Sequence, residues 1–347
     1  MPETWSPPED WITVRTLDVH TAGEPLRIVT EGIPPIPGDT ILEKRRNAQQ
    51  HLDSLRRALM WEPRGHADMY GAVITEAVTD DGDMGLLFLH NAGFSTMCGH
   101  GILGLAMAGL NAGAVGVPGD LGGDGELTLR LDTPAGRVTA GAIRQGGWIR
   151  EAFFLNVPSF VFALDRKVEV QGVGTVRYDV AFGGAYYAFC RAEELGVGLG
   201  PEDHRDLIHR GMAVKRAVMD ELVLSHPFES DLAFLYGTII VGDAEDSRHH
   251  SRNVCIFADG EVDRSPTGTG VSARAAIHYA RGELTEGEPF TVESILGTTF
   301  TGEVVSTTEY GPYEAVLPRI SGTSYITGRN ELLLDPTDPL RGGFLLR

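Results

Sequence analysis

Two short stretches of this chain set reactive or anion-binding groups at the entrance to a helix. One is MCGHGILGLAMA, carrying Cys98, Gly99, His100 and Gly101; the other is SPTGTGVSARAA, carrying Thr267, Gly268, Thr269 and Gly270. The unpaired N–H groups and the positive dipole end of a helix start favour a thiolate over a thiol. An ordinary thiol pKa near 8.5 is then expected to fall at Cys98 by about a unit or more. The competing reading is a buried structural cysteine, a common fate of the free thiol. Cys190 in YYAFCRAE and Cys255 in NVCIFA, flanked by apolar strand residues, read as structural. His100 has three candidate roles: substrate-binding donor, general acid or helix cap. His249 and His250 lie in the charged run EDSRHHSR and read as a solvated loop, and His20 reads as a structural hydrogen-bonding group at a strand end. The GTG turn is a candidate anion cradle at a helix N-terminus. It lacks the lysine of a phosphate-binding loop and any G-x-G-x-x-G pattern with a downstream acid, so a carboxylate suits it as well as a phosphate.

Other chemistries find little support. The three cysteines are widely spaced and form neither a C-x-x-C pair nor a Cys/His ladder, which argues against a disulfide framework and against zinc. A formal charge of −19 makes nucleic acid a poor partner. No apolar run reaches bilayer-spanning length, so no membrane association is expected. The opening MPETWSPPED has neither a basic nor an apolar signal region, which points to the cytoplasm.

The elements that must hold these groups alternate between strand-like and helix-like along the 347 residues, giving an α/β (α+β) expectation. WITVRTLDVH alternates as a strand, Thr40 to Met60 has the spacing of one surface helix, and Gly85 to His90 is an apolar run ending in the turn before Cys98. ILGLAMAGL reads as a buried helix and NAGAVGVPGDLGGDGE as a surface loop. Strands are expected within LTLRLDTPAGRVTAGAI and NVPSFVFAL, over Val168 to Gly183 and over Asp231 to Gly242, with an amphipathic helix near Pro201 to Asp220. Superposing Cys98 on Thr267 aligns the two glycine turns about half a chain apart, an echo that suggests two related halves.

DVHTAGEPLRIV, NAGFSTMCGHG, DTPAGRV, NVPSF, AFGGAYYAF and DRSPTGTGVSARAA occur in order from Asp18 to about Ala276. Together they resemble the proline racemase superfamily. The resemblance implies two pseudo-symmetric α/β domains, each a curled sheet around a central helix, with the active site between them. One would span 1–150 and carry Cys98, joined by the C-terminal segment 325–347; the other would span 151–324 and carry Thr267. It further implies Cys98 as the base that takes a substrate's α-proton, and Asp263 as the anchor of a cationic ring nitrogen, although Asp also favours turns intrinsically. The partner would be a small imino acid, with no cofactor and a monomer or homodimer. Backbone donors at Gly99, His100, Gly268 and Thr269 would stabilise the enolate-like carboxylate.

Racemases and epimerases of the superfamily carry cysteine at both junctions, whereas here the second position is Thr267. A threonine hydroxyl is too weak an acid for two-base inversion near neutral pH. Cysteine with threonine is the pattern of the trans-3-hydroxy-L-proline dehydratases, so the resemblance implies loss of water to give Δ1-pyrroline-2-carboxylate. In that substrate the α-hydrogen and the 3-hydroxyl share a ring face. Cys98 could therefore serve the elimination from one side, with Cys98 or His100 helping to protonate the hydroxyl and Thr267 positioning substrate or water opposite. The alternatives are a racemase or epimerase using water as the second acid, and a non-catalytic imino-acid-binding protein.

Overall fold

The alternating segment near the N-terminus pairs its buried side against a strand from the far end of the chain, and that pairing organises the rest. The computed structural model describes residues 5–117, 119–120 and 122–346. In chain order the first series of elements is β1 (Ile12–Thr21), β2 (Glu24–Glu31), α1 (Ile41–His51), α2 (Asp53–Met60), β3 (Tyr70–Thr75), β4 (Met84–His90), β5 (Phe94–Ser95), α3 (Gly99–Gly104) with a π-helical extension Leu105–Gly109, then β6 (Gly125–Thr133), β7 (Gly136–Gln145) and β8 (Trp148–Leu155). The second series is β9 (Ser159–Val170), β10 (Gly174–Phe182), β11 (Tyr186–Arg191), α4 (Ala192–Leu195), α5 (His204–Glu221), β12 (Leu235–Gly242), β13 (Ser251–Phe257), β14 (Glu261–Asp263), α6 (Gly268–Ala280), β15 (Phe290–Glu293), β16 (Thr299–Tyr310), β17 (Tyr313–Gly322) and β18 (Ser324–Leu334).

The two series share one pairing scheme. β2–β3 is parallel, β3–β4 and β4–β5 are antiparallel, β4–β6 is parallel, and β6, β7 and β8 follow antiparallel. β11–β12, β12–β13, β13–β14, β13–β15 and β15–β16–β17 repeat that order of directions. β9 pairs with both β10 and β17, which closes the second series into a ring of eight strands. β18 pairs with β1, so the last strand completes the first series, and β8 pairs with β17 to join the two. β8 runs through position 150.

A curled sheet needs an apolar rod at its centre, and each series supplies one. α6 is buried from Gly268 to His278 and packs on β9, β10, β11, β16 and β17. α3 and its π-helical extension are buried throughout and pack on β1, β2, β7, β8 and β18. A helix apolar on all sides is stable only when enclosed in this way. No helix among the described residues is long and apolar enough to cross a membrane.

One expectation about elements needs correction. Thr40–Met60 is two helices, not one: Thr40 and Glu43 form a capping box at the first start, and Leu52 (φ −117°, ψ 9°) breaks the run. Its inward face is cationic rather than merely solvated. Buried Arg45 donates to the Phe94 carbonyl at 2.7 Å, and buried Arg56 donates to the His90 carbonyl at 2.8 Å. These guanidiniums satisfy carbonyls that the tight β4–β5 turn leaves unpaired, and so fix the turn that leads to Cys98. The strand character expected over Val168–Gly183 is found there, as the end of β9 and the whole of β10, reversed by a turn over 171–173.

Candidate active site

Each series reaches its central helix by the same route: a long strand, a short antiparallel strand, then the helix start. β4–β5–α3 delivers Cys98 and β13–β14–α6 delivers Thr267. The two helix starts meet tip to tip. A Cβ placed on Gly99 would lie 2.7 Å from the Gly268 Cα, and one on Gly268 would lie 2.9 Å from the Gly99 Cα. Real Cβ atoms are not found at such distances from backbone, so both positions require glycine. Gly268→Ala is expected to destabilise the protein by about 1–3 kcal/mol through overpacking, read as a lower urea midpoint.

Cys98, Gly99, His100, Asp263, Thr267, Gly268 and Thr269 all line one small cavity at this contact. Cys98 is the N-cap of α3, and its Sγ accepts the Gly101 N–H at 3.2 Å. The His100 ring lies beside it, Nδ1 3.3 Å from the sulfur. On the other side, Thr267 precedes α6 with φ 66°, a strained conformation for a β-branched residue. Its Oγ1 is buried and lacks a hydrogen-bond partner. Asp263 accepts the Ser265 N–H at 2.8 Å, and the Thr269 hydroxyl bonds the Tyr187 hydroxyl at 2.7 Å. The Thr267 hydroxyl nonetheless favours the ionised forms of Asp263 and Cys255, so it faces both groups across the cavity wall.

The electrostatics overturn one expectation. Burial pushes the Cys98 thiol well above its ordinary value, against the Gly101 N–H that favours the thiolate; Asp263 and Glu24 push it further in the same direction. The helix start does act on the sulfur, but desolvation in a closed cavity outweighs it. Asp263 is raised chiefly by burial. Glu24, wholly buried, is also raised by burial and then by Asp263. Cys98 and Asp263 face the cavity, whereas Glu24 lies outside its lining, with the Arg264 guanidinium 3.7 Å away. Burial holds the His100 ring neutral, with its pKa lowered to about 3. Burial thus disfavours the imidazolium and favours His100 as a neutral hydrogen-bonding group beside the sulfur.

Several wall residues were not foreseen. Tyr70, Tyr187, Tyr236 and Phe257 line the cavity. Cys255, read as a structural strand cysteine, lines it as well, while Cys190 is buried elsewhere. Strand alternation indicates which side chains turn inward but not that the inside is a ligand site, so these carried no distinguishing signal. AFGGAYYAF contains Tyr187, without showing its role. His20 accepts the Gly23 N–H at 3.2 Å, a structural contact as expected. His249 departs from the solvated reading, since its Nδ1 lies 2.9 Å from Glu293 Oε1. Among the described residues no group of three or more His, Cys, Asp or Glu is placed to hold a metal ion.

Two curled sheets surround opposed central helices, with a thiol at one helix tip and a buried carboxyl beside the other, both lining the cavity where the tips meet. The family profile described as proline racemase matches residues 16–345. The chain belongs to the proline racemase family. It is 44% identical to a trans-3-hydroxy-L-proline dehydratase of Colwellia psychrerythraea, over 99% of this chain and 97% of that one. It is 45% identical to the human trans-3-hydroxy-L-proline dehydratase, over 98% of this chain and 97% of the relative. A crystal structure of a hydroxyproline epimerase from Agrobacterium vitis with bound trans-4-hydroxy-L-proline superposes with a TM-score of 0.88 at 30% identity, covering 96% of each chain.

Proposed function

We propose that this protein is a trans-3-hydroxy-L-proline dehydratase, a cofactor-independent hydro-lyase that forms Δ1-pyrroline-2-carboxylate. The observation that carries the reading is the asymmetry of the cavity: a thiol stands at one helix tip and a threonine at the other. In this reading the cationic ring nitrogen binds Asp263. Its charge offsets the burial that raises Asp263, and the Asp263 charge that adds to burial in raising Cys98. The substrate carboxylate lies between the N–H groups that open the two helices, at Gly99, His100, Gly268 and Thr269. Cys98 takes the α-proton, the 3-hydroxyl leaves from the same ring face, and the enamine tautomerises to the imine. Thr267 holds the opposite face without offering a proton.

The units 1–150 with 325–347, and 151–324, part to admit the substrate and close to exclude water. Three free cysteines suit a reducing compartment, in keeping with a cytoplasmic location. Incubation with trans-3-hydroxy-L-proline and trapping with o-aminobenzaldehyde should give the coloured adduct of the cyclic imine. Inversion of L-proline or 4-hydroxyproline with no imine from the 3-hydroxy acid would instead make the protein a racemase or epimerase. Tight imino-acid binding with no turnover would make it a binding protein.

A further inference from the structure

The departing hydroxyl needs a proton, and burial disfavours the imidazolium at His100. Tyr70, the first residue of β3, is buried and lines the cavity beside Cys98. Its hydroxyl hydrogen-bonds Ser95 Oγ and lies 3.3 Å from the Tyr236 hydroxyl. Its ring meets the His100 ring edge-on, with centroids 4.7 Å apart. Tyr70 thus belongs to the Cys98 side of the cavity, where a hydroxyl sharing a face with the α-hydrogen must depart. Ser95 and Tyr236 can each donate or accept, so the phenol proton is free to turn toward a ligand without stranding either neighbour.

Resting on the dehydratase reading, we infer that Tyr70 is the acid that protonates the departing 3-hydroxyl and is then reprotonated by Cys98. The step balances within the site. The C2–H bond breaks and its proton goes to the Cys98 thiolate. The C2–H electron pair forms the C2–C3 double bond as the C3–O bond breaks. The oxygen leaves with that bonding pair and takes the Tyr70 proton, forming water. The Cys98 thiol then passes the α-proton to the Tyr70 phenolate, restoring thiolate and phenol, so the released water carries the proton that Tyr70 held at the start and the α-proton stays on Tyr70 for the next turnover. Burial raises the Tyr70 pKa well above 10, which keeps the O–H intact at rest. Hydroxide, the conjugate base of water at pKa about 15.7, is basic enough to take that proton. The Tyr70 hydroxyl is also among the groups that favour ionised Cys98, in accord with its closeness to the sulfur.

The test is Tyr70→Phe, assayed in D2O with trans-3-hydroxy-L-proline and with trans-3-chloro-L-proline, whose chloride leaves without a proton. Imine formation from the hydroxy acid should fall by about 10²–10⁴-fold, the usual contribution of general acid catalysis. Deuterium should then appear at C2 of recovered substrate, because α-deprotonation outlasts elimination. Chloride release should stay within about threefold of wild type, since only the leaving-group interaction has been removed. Loss of both eliminations to the same degree would reduce Tyr70 to a structural role and overturn the inference. Unimpaired imine formation would overturn it as well. In both cases the active wild type leaves the dehydratase reading standing. A wild-type protein that forms no imine sinks that reading and the inference together.

Discussion

Cys98→Ser is expected to lose turnover by about 10⁴-fold or more, the upper range for removal of a positioned base, while the protein folds as before. The two halves of that expectation come from the same atom. Sγ caps α3 by accepting the Gly101 N–H, and a serine Oγ is a preferred group for that task. The cap therefore survives, with the urea midpoint little changed. A hydroxyl, however, is far less acidic than a thiol and offers no usable base at neutral pH. Imine formation and deuterium exchange at C2 should disappear together, which separates this variant from Tyr70→Phe. Substantial residual turnover would remove Cys98 from the role of base.

Asp263→Asn should raise KM by about 10²–10³-fold, equivalent to the roughly 3–5 kcal/mol lost when one member of a buried ion pair is removed. Asparagine keeps an oxygen for the Ser265 N–H, so the turn is retained and only the charge is lost. The unliganded variant should behave in the opposite sense. The Asp263 carboxyl is raised from its usual 3.8, chiefly by burial. In the window between 3.8 and the raised value the folded protein binds more protons than the unfolded chain, so its stability falls as pH rises. Removing the group should make the empty protein more stable than wild type at pH 7, with the gain shrinking as pH falls toward 3.8. Thermal unfolding of both proteins across that range checks it. An unchanged KM would refute the anchoring role.

How far the sequence revealed this site depended on whether the relevant property was local. The helix entrances at Cys98 and Thr267 were legible, because glycine and small polar residues before an apolar run have few other uses. Their juxtaposition was legible only through family resemblance, since nothing local states that Gly99 must touch Gly268. The direction of the Cys98 shift was misread because it is a balance. A helix start is visible in the residues 98–101, whereas the desolvation that overcomes it arises from walls contributed by β3, β11, β12, β13 and α6. The same walls hid Tyr70, Tyr236 and Cys255, which in sequence are ordinary inward residues of strands. The break at Leu52 is hidden because the helical spacing continues across it, and the buried arginines carry no local signal because their partners are carbonyls of a distant turn.

The placement of the last strand has a consequence for the order in which this molecule is made. β9 to β17 close a ring from one uninterrupted stretch of chain. The earlier-translated half pairs β1 with β18, Ile12 opposite Leu334, and stays incomplete until β18 has been synthesised. Domains commonly fold in the order they leave the ribosome. Here the second-made barrel is the one able to finish first, and the N-terminal half waits with the edge of β1 unpaired. The half that carries Cys98 can therefore complete its sheet only after β18 has been made.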